Sequence, residues 1–162
     1  MDKFKAIVVN QVEENFTREL QEVDISFLKD GDVTVKVEYS SLNYKDGMIL
    51  KNGGKLVKDY PHIPGIDFAG VVEASEDPNF TKGDKVILTG WRVGEIYYGG
   101  YAQYAKVKGK FLVKTPEGLS NKDAMALGTA GFTALLCTFA IQARETILLG
   151  EPIQDVLVTG AT

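Results

Sequence analysis

Few side chains in this sequence combine reactive chemistry with a place that would expose it. The loop SSLNYKD, residues 40–46, sets the carboxamide of Asn43 beside the phenol of Tyr44. An amide can hold a carbonyl oxygen or another amide, and a phenol can donate a hydrogen bond or a proton, so the pair suits a site where an oxygen gathers charge. The structural alternative is that Asn43 caps a short helix beginning at Tyr44, with the phenol ring packed in the core. Arg92, in TGWRVGE, is a cation beside an aromatic residue on a glycine-flanked loop. It suits a phosphate or a thioester, and is equally at home as a surface residue. Thr133, in GFTA, either offers its hydroxyl to a ligand or bonds it back to its own helical turn. At the far end, DVLVTGAT (155–162) runs an apolar stretch into Thr159-Gly160, as a buried parallel strand delivers its chain to a glycine-rich phosphate turn.

Other chemistries lack their parts. The single histidine, His62, lies between prolines in YPHIPG, and the single cysteine, Cys137, lies in the apolar run FTALLCTFAI, where a thiol is expected to behave as a small buried hydrophobe. One His and one Cys cannot assemble a structural zinc site, and no disulfide can form within the chain. The 18 Lys and Arg are interspersed among 22 Asp and Glu, for a net charge of -4, so there is no basic stripe to neutralise a run of phosphates and nucleic acid is not an expected partner. No signal-peptide core follows Met1 and no unbroken apolar run reaches membrane-spanning length, so neither export nor membrane insertion is expected.

The elements that must position these residues change character along the chain. KAIVV (5–9), DVTVKVEYS (32–40), FAGVVEAS (68–75), DKVILT (84–89), YAQYAKV (101–107) and FLVK (111–114) read as short strands separated by turn signals, at spacings that suggest a mainly β, partly open barrel. In the second of these, Val33, Val35, Val37 and Tyr39 share one face, the mark of a half-buried strand. From Ser120, which with Asp123 resembles a helix cap and its reciprocal partner, the pattern turns helical, with Gly128 and Gly131 interrupting it. A second apolar helical stretch, FTALLCTFAIQARE, is expected to pack on a sheet that DVLVTG would begin. The expected organisation is a β domain over residues 1–120 and the start of an α/β domain over 121–162.

Taken in order, SSLNYKDGM, YPHIPGIDFAGVV, KGDKVILTGW, GGYAQYAKVKGKFLVKTPEGLS, GTAGFTALL and VLVTGAT resemble the medium-chain dehydrogenase/reductase superfamily, and more closely its bacterial branch of quinone oxidoreductases and acryloyl-CoA reductases. The resemblance implies a GroES-like barrel followed by the first helix and strand of a Rossmann domain, in a chain about half the length usual for the family and cut inside its cofactor loop. It implies NADPH as cofactor, with Tyr44, Thr133, Thr159, Gly160 and Thr162 contributing to its binding. Asn43, Tyr44 and Arg92 are the implied catalytic candidates. The implied reaction is reduction of an activated C=C bond, acryloyl-CoA to propanoyl-CoA, with a quinone or enone as alternative acceptor and a non-catalytic binding module as the alternative of another class. The full-length form is expected to be a cytoplasmic homodimer and the present chain to associate with itself or with its missing half. Zinc-dependent relatives carry a His-Glu pair after the Pro-Gly that here precedes Ile66-Asp67, so no metal is expected, and Asp67 is expected to be a structural carboxylate bonding local backbone.

Overall fold

A computed structural model describes residues 3–29, 31–144 and 155–159. The chain packs as two compact units, Met1–Thr129 and Ala130–Thr162. In the first, β1 (Lys3–Val12) and β2 (Asn15–Asp24) form an antiparallel hairpin in continuous register from Lys3↔Asp24 to Val12↔Asn15. Strand β2 escapes the sequence reading for a physical reason. NFTRELQEVD buries only Val23, so no alternation of apolar and polar faces announces it.

The larger sheet is antiparallel throughout, with β3 (Val33–Ser40) and β4 (Asp67–Ser75) at its centre, β5 (Lys85–Thr89) and β7 (Val113–Lys114) beyond β4, and β6 (Tyr104–Val107) on the other side of β3. The hairpin is tied to segments flanking this sheet by main-chain bonds, Ile7 N–H to Tyr101 O and a reciprocal pair between Val9 and His62, each 2.8 Å. These ties curl the strands into the expected partly open barrel. Val33, Val35, Phe68, Val72, Val86, Leu88 and Ala105 are fully buried inside it. Each large apolar side chain hidden this way contributes roughly 1.5–3 kcal/mol.

Two helices matter for the site. Helix α1 (Tyr44–Asn52) begins directly after β3 and ends where Gly53, at φ 73, returns its N–H to Ile49 O. Helix α2 (Asn121–Arg144) starts as the sequence indicates, with the Asp123 N–H donating to Ser120 Oγ at 3.1 Å. It is broken at Gly128, whose φ of 50 and ψ of -158 are not helical. By length and composition alone α2 qualifies as a membrane span. The break at Gly128 divides it, and the part from Thr129 onward falls short, among the described residues, of the roughly 20 residues a bilayer requires.

Two expectations for the second unit are corrected. Cys137 is exposed rather than buried, and so are Phe132, Leu135, Leu136 and Phe139. The helix is apolar on most sides, and no described sheet covers it. Residues 155–159 carry no strand pairing. A strand is defined by its neighbours, and among the described residues none lies beside this segment to complete a ladder.

Two stability measurements follow from this packing. A Cβ on Gly70 would sit 2.1 Å from the Lys36 carbonyl oxygen of the neighbouring strand, whereas one on Gly47 in α1 would meet nothing within 4 Å. Gly70→Ala is expected to cost roughly 1–3 kcal/mol in denaturant unfolding, and Gly47→Ala to be neutral or to stabilise by up to about 1 kcal/mol. His62 is 1% exposed, and burial holds its pKa below the ordinary 6.5 despite opposing contributions from Gly94 and Asp59. The unfolded chain therefore binds a proton that the folded one refuses, so stability is full above about pH 6.5 and declines as pH falls below it. Unfolding titrations between about pH 7 and pH 5.5 should show this decline, and His62→Leu should flatten it.

Candidate functional site

The site grows from the first residue of β4. Asp67 is fully buried, and its carboxylate gathers donors from two separate segments. Its Oδ2 accepts from Ser41 Oγ at 2.7 Å, Asn43 Nδ2 at 2.9 Å and the Thr129 N–H at 2.8 Å, and its Oδ1 accepts from the Thr129 hydroxyl. A buried carboxylate is tolerable only when so surrounded. The expectation that Asp67 bonds local backbone is corrected, because three of its four partners are side-chain groups and the one main-chain donor, Thr129 N–H, is 62 residues away in sequence. Gly128 lets this happen, because a Cβ there would press to 3.0 Å from Asp67 Oδ2 and 3.1 Å from Ser41 Oγ.

Asn43 occupies the N-cap of α1 with extended φ and ψ, and its own N–H donates to Asp46 Oδ2 at 2.9 Å in a capping box. Asp46 is fully buried, and its other oxygen accepts the Ile66 N–H at 3.0 Å, which pins the helix start to the segment preceding β4. The Asn43 amide donates to Ser41 Oγ at 3.0 Å and to Asp67 Oδ2 at 2.9 Å. A carboxylate accepts only, so the amide orientation is fixed by chemistry, with the nitrogen turned toward Ser41 and Asp67. The capping reading of Asn43 holds.

The companion expectation, a Tyr44 ring packed in the core, fails. Tyr44 is 88% exposed. It stands on an open groove of about 510 Å³ lined by Leu42, Asn43, Tyr44, Gly47, Met48 and Lys51. Behind the groove, the Tyr101 hydroxyl donates to Ser41 O at 3.0 Å. Burial, followed by the negative charge of Asp46 and Asp67, pushes its pKa well above the ordinary tyrosine value, so it remains a donor.

Arg92 lies apart from this network but is linked to it. Its Nε is 3.6 Å from Glu95 Oε2, and the other oxygen of that buried carboxylate takes Lys45 Nζ at 2.8 Å, one residue from Tyr44. Thr133 and Thr159 belong to the second unit and are exposed, while Gly160 and Thr162 lie outside the described residues. Among the described residues no cluster of three or more His, Cys, Asp or Glu is placed to hold a metal.

Of the supporting residues, Asp46 went unread although it had a local signal, the Asn-x-x-Asp spacing of a capping box. Ser41, Tyr101 and Thr129 had no local signal. Their bonds span as many as 62 residues of sequence.

Residues 29–117 match the alcohol dehydrogenase GroES-like domain. The acrylyl-CoA reductase AcuI of Ruegeria pomeroyi is 52% identical over 160 residues, covering 98% of this chain and 48% of that protein. The quinone oxidoreductase of Sus scrofa is 33% identical over 133 residues, covering 79% of this chain and 39% of that protein. Among solved structures, the yhdH oxidoreductase from Salmonella enterica in complex with NADP superposes with a TM-score of 0.82 at 51% identity, over 85% of this chain and 43% of that one. The chain spans about half the length of the curated relatives it matches. With its barrel, its helix start and its sequence in agreement, the chain belongs to the medium-chain dehydrogenase/reductase superfamily, in the branch of acrylyl-CoA reductases and quinone oxidoreductases, and carries that superfamily's GroES-like domain.

Proposed function

We propose that the complete protein reduces the activated C=C bond of a small thioester, acryloyl-CoA to propanoyl-CoA, with NADPH as the electron donor. The observation that carries this reading is the contrast between neighbours at the start of α1. The Asn43 amide nitrogen is engaged by Ser41 and Asp67, whereas Tyr44, with no hydrogen-bond partner among the described residues, stands exposed on an open, partly apolar groove.

The residues present fit a nicotinamide cofactor. The groove offers Leu42 and Met48 to a flat ring and a phenol to its polar edge. In the first unit Tyr44 would hold the cofactor; Thr133, Thr159, Gly160 and Thr162 are the cofactor-binding candidates that the resemblance implies in the second unit. When bound, NADPH supplies the hydride.

The remaining work falls to the chain itself. Tyr44 donates a hydrogen bond or a proton as charge develops on the substrate. Asn43 does not donate to the substrate, and instead fixes the first turn of α1 so that Tyr44 keeps its place. Arg92 offers a cation to the anionic part of the thioester. The protein is read as cytoplasmic and, in full-length form, homodimeric. The apolar stripe Phe132, Leu135, Leu136 and Phe139 supports association of the present chain with itself or with the other half.

A quinone acceptor is the second reading, supported by the quinone oxidoreductase among the relatives. Substrate competition in the complete protein separates the two. NADPH oxidation that depends on acryloyl-CoA and not on quinones supports the thioester reading, and the reverse overturns it. NADH should be the poorer cofactor, and equal rates with both would refute the NADPH preference.

Tyr44→Phe is expected to lower turnover by the equivalent of about 2–4 kcal/mol, with little change in NADPH affinity. Stopped-flow turnover and fluorescence titration of NADPH check this together. Unchanged turnover with a large loss of NADPH affinity would make Tyr44 a cofactor-binding residue only.

A further inference from the structure

The loop after β5 carries an arrangement of which the proposed reaction uses only Arg92. Trp91 is 56% exposed, yet its indole is held against Phe111 in a near-parallel stack, with ring centres 5.0 Å apart and planes inclined by 19°. One face is backed and the rest is open. Trp91 and Arg92 both have positive φ, 54° and 60°, a conformation that bulky residues adopt only when the surroundings enforce it. The loop is enforced here by Val93 and Glu95, both buried, and by main-chain bonds from the Glu95 and Ile96 N–H groups to Arg92 O.

Cations surround the aromatic cluster. Lys110 Nζ lies 5.8 Å from the Phe111 ring centre, and Lys108 Nζ lies 5.3 Å from that of Tyr97, which itself packs on Phe111 at 5.4 Å. Asp32 fixes the turn that presents both lysines by accepting the Gly109 N–H. Neither lysine has a carboxylate partner among the described residues, and the Arg92 guanidinium is only loosely held by Glu95.

A preorganised aromatic platform, flanked by Lys108 and Lys110 and by an Arg92 only loosely paired with Glu95, suits a purine base bearing phosphates. The base stacks and the phosphates meet the charges. We infer that Trp91, with Arg92, Lys108 and Lys110, binds a phosphorylated adenosine, and that this is the nucleotide end of a coenzyme A thioester. The inference rests on the acyl-CoA reading above. NADPH also contains a phosphorylated adenosine, but the glycine turn expected to receive that cofactor is at Thr159–Thr162, in the second unit. The Trp91 platform lies wholly in the first unit and is linked through Glu95 and Lys45 to the start of α1, where Tyr44 stands.

Trp91 is the sole tryptophan, so its emission reports on the site directly. Adenosine 3′,5′-bisphosphate, the nucleotide end of coenzyme A, titrated into the chain should quench that emission saturably. Raising salt from about 50 mM to about 200 mM should weaken binding. Arg92→Ala combined with Lys110→Ala, both at exposed side chains, should weaken it about tenfold or more with unchanged circular dichroism. Lys108→Gln provides a second, milder variant. Adenosine 2′,5′-bisphosphate, the corresponding end of NADPH, should bind more weakly.

Absence of saturable quenching overturns the inference, as does equal affinity in the charge variants or tighter binding of the 2′,5′ isomer. The complete protein separates this failure from failure of the reductase reading. A higher KM for acryloyl-pantetheine than for acryloyl-CoA supports the site. Equal KM values without quenching overturn the site and leave the reductase. Quenching without any thioester reduction overturns the reductase and, with it, the coenzyme A assignment.

Discussion

The buried carboxylate of Asp67 is the constraint on which the candidate site depends. Moving such a charge out of water costs several kcal/mol unless donors replace its hydration, and four donor groups do so here. They come from the loop after β3, from the N-cap of α1 and from the residue after the Gly128 break, while Asp67 itself opens the central strand β4. One group therefore sets the mutual position of three chain segments, the loop leading into α1, the start of the helix after Gly128 and β4 itself. The barrel supplies the rigidity, and Asp67 converts it into a defined local geometry.

Counting donors assigns roles that residue types alone leave open. An amide beside a phenol suggests two interchangeable hydrogen-bonding groups. Once Ser41 and Asp67 engage the amide nitrogen of Asn43, the two become different in kind. Asn43 belongs to the scaffold, together with Asp46, which closes the capping box and reaches the Ile66 N–H. Tyr101, kept protonated by burial and by the neighbouring carboxylates, extends that scaffold by donating to Ser41 O. Tyr44 alone remains unspent, and the groove gives it something to act on. The Lys45–Glu95–Arg92 chain of ion pairs carries the same frame outward to Trp91.

What the sequence made legible follows from the range of the interactions involved. Strand β3 was readable because its alternating valines meet a core on one side, and the start of α2 because Ser120 and Asp123 bond within one turn. The capping box at Asn43 was readable for the same reason. Strand β2 was not, since a hairpin arm held by main-chain bonds and exposed on both faces leaves no apolar pattern. Asp67 was recognisable as a carboxylate without metal companions, but its partners at Ser41 and Thr129 lie far off in sequence and carry no periodic signal. Hydrophobic burial writes itself into local patterns, whereas a buried polar cluster is specified by single residues that meet only after folding.

The same distinction separates the two units. In the first, polar and apolar demands are largely met internally, by the barrel core and by the Asp67 network. In the second, the helix beyond Gly128 satisfies its own main chain and so exists without cover, while its stripe at Phe132, Leu135, Leu136 and Phe139 stays exposed. Residues 155–159 show the other half of the rule. A helix is closed by bonds within itself, but a strand needs a neighbour, so the same apolar character that gives a helix in one segment gives no ladder in the other. It follows that chemistry resting on the first unit, including the aromatic platform at Trp91, can be interrogated in this chain by itself. The role in cofactor binding that the resemblance implies for Thr159 calls for partners that the described residues do not supply.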